Sequence, residues 1–189
     1  MSTERTTVYF DEPGSKNTDE TLRLARLRAD QLGVRDIVVA SGSGTTGVKA
    51  WERFPECNLV VVAGAVGYPE PNTTRMRPEH QTALQSKGVT VLFAGHAFGM
   101  LGRAINKKFG AIQLDEVIAH TLRIVGDGVK VACEIVCMAT DAGRIPAGAD
   151  VIAIGGTEQG ADTAAVIKAS NTHTFFDLRV REIICRPIG

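Results

Sequence analysis

Aromatic residues are scarce, at 5% of the chain, and neither sign of charge is in excess: Lys and Arg together number 21, as do Asp and Glu. A nucleic-acid binder depends on surplus Lys and Arg against phosphate, and a base-stacking platform depends on aromatic rings. The sequence offers neither, which excludes nucleic acid as an expected partner. No apolar run reaches the roughly 20 residues of a membrane-spanning helix. The start, Met-Ser-Thr-Glu-Arg, lacks the apolar core of a secretory signal. The expectation is a cytoplasmic protein with no membrane partner. Cysteine is sparse too, with four residues. Cys57 and Cys185 stand alone, while Cys133 and Cys137 are four apart in apolar sequence and share one face of a helix, as small core residues do. A zinc site needs two further ligands at matching spacing, and none are present, so no metal is expected.

What is present is ordinary globular composition, 44% apolar and 22% charged over 189 residues, enough for one domain spanning 1–189. "TTVYF" near the start reads as a short strand. Asn17 or Thr18 caps a helix over "TDETLRLARLRADQLG", with Leu22, Ala25, Ala29 and Leu32 on its apolar face and Gly33 at its end. "DIVVA", "NLVVVAG", "VTVLFAG" and "DVIAIGG" are four buried strands separated by helical stretches. Pro78 opens the helix that Gly88 ends, and the loop "AVGYPEPNTTRM" precedes it. "GVKVACEIVCMATDAG" is apolar almost all round and belongs deep against the sheet. The tail after the fourth buried strand is too short for another helical crossover, so "AVIKAS" runs antiparallel to its neighbour, and "REIICRPI" follows it. The fold class is α/β, three-layered, with a mainly parallel sheet.

Such a sheet binds ligands at the carboxyl ends of its strands. Two glycine-rich loops fall there. The first, "SGSGTTG", comprises Ser41, Gly42, Ser43, Gly44, Thr45 and Thr46 ahead of Gly47. Glycine lets the backbone approach a ligand, the following helix offers N–H groups and the positive end of its dipole, and the hydroxyls donate without adding charge. That chemistry suits a phosphate monoester. The named alternatives fail on specific residues. The loop fits G-x-G-x-x-G, but the next strand ends in "VVAGA", with no acid to hold a ribose hydroxyl. A Walker loop needs Lys at position 48, which is Val48, and Ser41 stands where the nucleophile elbow requires glycine.

The second loop, "GGTEQGADT", supplies Gly156, Thr157, Gly160, Ala161, Asp162 and Thr163; Asp162 either ties the loop's backbone or reaches a ligand hydroxyl. His96 begins a glycine-rich segment directly after the third buried strand and is a ligand-contact candidate by position. His120 is expected to pack within its helix, and His80 and His173 carry no specific signal. No pair of carboxylates with acid–base spacing is legible, so no catalytic residue is assigned.

Together, "NTDETLRLA", "IVVASGSGTTG", "KKFG", "EVIAHTLRIVGDGVKVACEI", "DAGRIP", "DVIAIGGTEQGADTA" and "FFDLRVREIICRP" resemble a stand-alone family of archaeal and bacterial proteins similar to the pyruvate kinase C-terminal α/β domain. The resemblance runs from about Asn17 to the end. It implies a five-stranded, mostly parallel sheet with one antiparallel edge strand, and it suggests homo-oligomers. It does not imply pyruvate kinase activity, because the catalytic barrel is missing from a chain of this size. It further implies flavin mononucleotide (FMN) as cofactor, its phosphate on Ser41–Thr46 with the Gly155–Thr163 loop nearby. "AGAVGYPEP" stands where the resemblance implies a more polar, histidine-bearing stretch, so the ring contacts are expected to differ from those of relatives. The function that follows is binding of a phosphorylated small molecule. A flavin-dependent or phosphosugar-handling enzyme and a phosphometabolite-sensing module are the alternatives.

Overall fold

The computed structural model describes residues 2–68 and 70–189. Met1, the first residue of the expected cytoplasmic start, and Pro69, within the loop expected after the second buried strand, lie outside the described residues. The elements run β1 (Val8–Phe10), α1 (Thr18–Leu32), β2 (Asp36–Ala40), α2 (Thr45–Arg53), β3 (Asn58–Gly64), α3 (Pro78–Ser86), β4 (Thr90–Phe93), α4 (Met100–Phe109), α5 (Leu114–Arg123), α6 (Asp127–Asp141), β5 (Asp150–Gly155), β6 (Thr163–Lys168) and β7 (Arg179–Pro187).

The strands form one sheet in the order β1-β7-β6-β5-β2-β3-β4. β2 pairs in parallel with both β3 and β5, and β3 with β4. β6 runs antiparallel to β5 and to β7, and β1 is parallel to β7. The mostly parallel α/β sheet is therefore as expected, with two corrections. It has seven strands rather than five, because β1 and β7 add to it. The antiparallel strand read in "AVIKAS" is β6, and β7 and β1 continue the sheet beyond it.

The Val/Ile runs form central strands because both faces of the sheet are covered. Ile37, Val39, Val61, Ile152 and Ile154 face α1, α2 and α3 through Leu22, Ala25, Ala50, Phe54 and Leu84. Val38, Val60, Val62, Val151 and Ala153 face α6 through Ala132, Cys133, Val136 and Cys137. The alternation of side chains along each strand divides the core into these two layers. α6 is buried along most of its length, as its composition requires. α1 ends on Gly33 at φ 67°, the left-handed conformation that favours glycine. Leu32, expected on the buried face of α1, is 40% exposed, because α1 closes one turn beyond its last core contact at Ala29. Thr18 does not cap α1 through its hydroxyl; that oxygen instead accepts the Ala161 N–H at 3.0 Å. Among the described residues, no helix is long and apolar enough to cross a membrane.

Strand order doubles back at β2, whose neighbours are β3 and β5. This sets the carboxyl ends of β5, β2, β3 and β4 side by side along one edge, where an open α/β sheet leaves a crevice.

Candidate functional site

The loop leaving β2 is built by its glycines. Gly44 sits at φ +87°, and a Cβ there would lie 2.5 Å from the His80 Cβ and 2.7 Å from the Met76 Sδ, so only glycine fits. At Gly47 an added Cβ would meet the Val61 Cγ1 at 2.9 Å, and this close approach lays α2 directly on β3. The Ser41 N–H donates to the Val62 carbonyl at 2.9 Å, which continues the β2–β3 pairing into the loop. The Ser43 carbonyl accepts from the Arg77 N–H at 3.2 Å and from His80 Nδ1 at 2.9 Å. The loop is thus clamped from both sides.

Its hydroxyls divide the work. Ser41 is buried, and its Oγ accepts the Gly47 N–H at 3.0 Å, which leaves its own hydrogen to donate. Ser43 and Thr45 are more open and lie hydroxyl to hydroxyl at 3.1 Å. Thr46 is buried in the first turn of α2. Among the described residues, the backbone N–H groups of Gly42, Ser43 and Thr46 have no hydrogen-bond acceptor. Three free N–H groups at a helix N-terminus make a local field that favours an anion.

Beside this loop lies a cleft of about 170 Å³. Its walls are the ends of β2 and β3, Arg75 and Tyr68 from the loop after β3, His96 from the loop after β4, and Glu134 and Met138 from α6. The side chain of Arg75 passes 3.9 Å from where a Gly42 Cβ would sit. Among the described residues Arg75 and Arg103 form no ion pair. Arg103 lies over the Tyr68 ring at 5.2 Å, and Tyr68 meets His96 edge-on, with ring centroids 5.2 Å apart. Burial lowers the proton affinity of His96, Glu134 opposes that, and the charges of Arg103, Lys130 and Arg75 add to it. Burial thus favours the neutral form of the ring.

On the α6 wall of the cleft, Lys130 donates to Glu134 one turn along the helix, and Glu134 also accepts the Phe98 N–H at 3.1 Å. Burial lowers the proton affinity of Lys130 despite its partner.

Of the residues singled out from the sequence, Ser41, Gly42 and His96 line one cleft, while Ser43–Thr46 continue the same loop beyond the cleft's lining. The second glycine loop is occupied elsewhere. A Cβ on Gly160 would lie 2.4 Å from the Thr18 Oγ1 and 2.6 Å from the Ser15 Cα, so this loop packs on the start of α1. Gly156 is pressed against the Gly160 carbonyl, and Ala161 is buried. Asp162 is fully buried. It accepts from the N–H of Gly14 at 2.9 Å, from the N–H and hydroxyl of Thr157 at 3.2 and 2.8 Å, and from the Thr163 hydroxyl at 2.8 Å. Of the two roles open to Asp162, the one observed is that of tying loop to backbone.

His120, expected to be packed, is exposed on the outer face of α5. His80, passed over, braces the Ser43 carbonyl. Sequence reading also missed Arg75, Tyr68, Lys130 and Glu134. The last two carried a signal: opposite charges four apart on an otherwise apolar helix are a buried ion pair in waiting. Arg75 and Tyr68 sit in an irregular loop and carried none. No cluster of metal-ligating side chains occurs among the described residues.

The family described as "Pyruvate kinase, alpha/beta domain" matches residues 19–168, most of the chain, from α1 to the end of β6.

Proposed function

The chain belongs to the pyruvate kinase alpha/beta domain family, and on that premise we propose that it binds a phosphorylated small molecule through the Ser41–Thr46 loop, with FMN the first candidate. The observation that carries this reading is the conjunction of three N–H groups, at Gly42, Ser43 and Thr46, that have no acceptor among the described residues, with the Arg75 guanidinium, which forms no ion pair among them, alongside. Backbone donors at a helix start supply direction for a phosphate, and an arginine supplies charge and a second set of donors. The cleft of about 170 Å³ falls below the roughly 300–1,000 Å³ that encloses a whole drug-sized ligand. A flavin bound by its phosphate would leave its ring system near the rim, by Tyr68 and Arg103.

The experiment is a calorimetric titration of inorganic phosphate, and a fluorescence titration of FMN, against wild type and three variants. Ser43→Asp and Thr45→Asp place a carboxylate among the donors and abolish binding of both ligands while leaving thermal stability nearly unchanged. Arg75→Ala weakens both by roughly tenfold or more, the worth of a charge-assisted hydrogen bond. Unchanged affinity in all three variants overturns the reading. FMN that keeps its free fluorescence while inorganic phosphate binds removes the flavin and leaves the phosphate. His96 in the same cleft is the observation that favours the enzyme alternative, and turnover that disappears in His96→Ala with the fold intact is its test.

A further inference from the structure

The ring of His96 has its two nitrogens in different surroundings. Nδ1 lies 3.3 Å from the Sδ of Met100, four residues on at the start of α4. A thioether sulfur carries no hydrogen and can only accept. For that contact to be favourable, Nδ1 must hold the ring's proton, and in a neutral imidazole Nε2 is then left with a lone pair. Nε2 has no protein partner among the described residues. It lies over the end of β3, 3.4 Å from where a Gly64 Cβ would sit, and Gly64 and His96 both line the cleft. The absence of a side chain at Gly64 is what leaves space in front of this nitrogen.

The charged groups around the cleft differ from it. Arg75 and Arg103 only donate. The Glu134 carboxylate, also on the cleft wall, accepts from Lys130 and from the Phe98 N–H and keeps further lone pairs, but it is charged. The Ser41–Thr46 loop presents N–H groups and hydroxyls. His96 Nε2 is therefore the uncharged ring acceptor of the cleft, and it calls for a ligand atom that donates.

We propose that His96 Nε2 is a hydrogen-bond-accepting subsite that takes a hydroxyl of the polyol or sugar portion of a phosphate ester. This rests on the phosphate reading of the Ser41–Thr46 loop and adds to it the chemistry next to the phosphate. The class includes sugar monophosphates and the ribityl chain of FMN, and it excludes phosphates without a nearby hydroxyl.

Two measurements test it. Long-range proton–nitrogen NMR of the histidine rings at pH 7 is expected to show His96 neutral, protonated on Nδ1 and bare on Nε2, with Met100→Leu shifting it towards a mixture of tautomers. A proton on Nε2, or a doubly protonated ring, overturns the proposal. Titrations of ribose 5-phosphate and inorganic phosphate then follow. Wild type is expected to favour the sugar phosphate by roughly three- to tenfold, the worth of one neutral hydrogen bond. His96→Phe, and independently His96→Leu, lose that preference while keeping the inorganic phosphate affinity. A preference that survives in a folded variant, or that is absent from wild type, overturns the subsite. Loss of inorganic phosphate binding in wild type is a different failure, that of the loop, and leaves the tautomer measurement to decide His96 by itself.

Discussion

Lys130 Nζ and Glu134 Oε2 stand 2.5 Å apart on successive turns of α6, each side chain only 4% exposed. Glu134 lines the cleft, and the lysine lies 5.8 Å from the Phe98 ring centroid. Removing one partner strands the other in a low-dielectric interior. Glu134→Ala is expected to lower unfolding free energy by about 3 kcal/mol, whereas the paired replacement Lys130→Met/Glu134→Leu costs less than either single change. Urea unfolding of the four proteins gives the comparison. Because Glu134 is the one neighbour that raises the proton affinity of His96, its loss also moves the His96 titration to lower pH.

The pH dependence of stability follows from His96 with a definite sign. Its proton affinity in the folded protein is below the ordinary value, chiefly through burial, with Arg103, Lys130 and Arg75 adding to that and Glu134 opposing it. Between the lowered folded pKa and the ordinary value near 6.5, the unfolded chain binds more protons than the native one, so stability rises with pH. The contribution is fully present above that ordinary value and is lost as pH falls through the window. His96→Phe is expected to flatten this part of the profile. Urea midpoints at pH 7 and at pH 5 for both proteins measure it, and equal slopes would show that His96 is not the titrating group.

Asp162 organises one corner of the fold, because its carboxylate accepts four hydrogen bonds from Gly14, Thr157 and Thr163. Asp162→Ala leaves those donors without an acceptor and is expected to cost at least about 2 kcal/mol. Amide hydrogen exchange should accelerate at Gly14 and Thr157, while inorganic phosphate affinity stays within about twofold, since the carboxylate faces the start of α1 and not the Ser41–Thr46 loop. A large affinity loss in the folded variant would return Asp162 to the ligand.

Thiol chemistry separates the four cysteines. Burial pushes the thiols of Cys133 and Cys137 up to about 12 and that of Cys185 up to about 11, and the thiolate is the reactive form. Cys57 is the one cysteine that is not buried. A thiol reagent at pH 8 is expected to modify one cysteine in the native protein and four in denaturant, with peptide mapping placing the first at Cys57.

Residues whose role depends on periodicity were legible in the sequence, and residues whose role depends on where an irregular loop comes to rest were not. Val38 and Val39 announced a strand buried on both faces, and the apolar run of α6 announced a helix against the sheet. The glycines and hydroxyls of the Ser41–Thr46 loop were visible because backbone geometry restricts which residues fit there, as Gly44 does at φ +87°. Arg75 and Tyr68 reach the cleft through a turn with no repeat, so nothing in their spacing marked them. The count of strands failed for a related reason. β1 is three residues long and pairs with the distant β7, and no local pattern records which strands become neighbours. The second glycine loop shows the limit from the other side. Gly160 is glycine because Ser15 and Thr18 press on it, and close approach to protein leaves the same trace in a sequence as close approach to a ligand.

The pairing of β1 with β7 sets Val8 beside Cys185 and Phe10 beside Pro187, a far longer separation along the chain than that between β2 and β3. Closing so long a loop costs chain entropy before the contact returns anything. β1 is therefore expected to dock only on a sheet whose nearer-paired strands have already met, and to be the first strand to leave when the fold loosens.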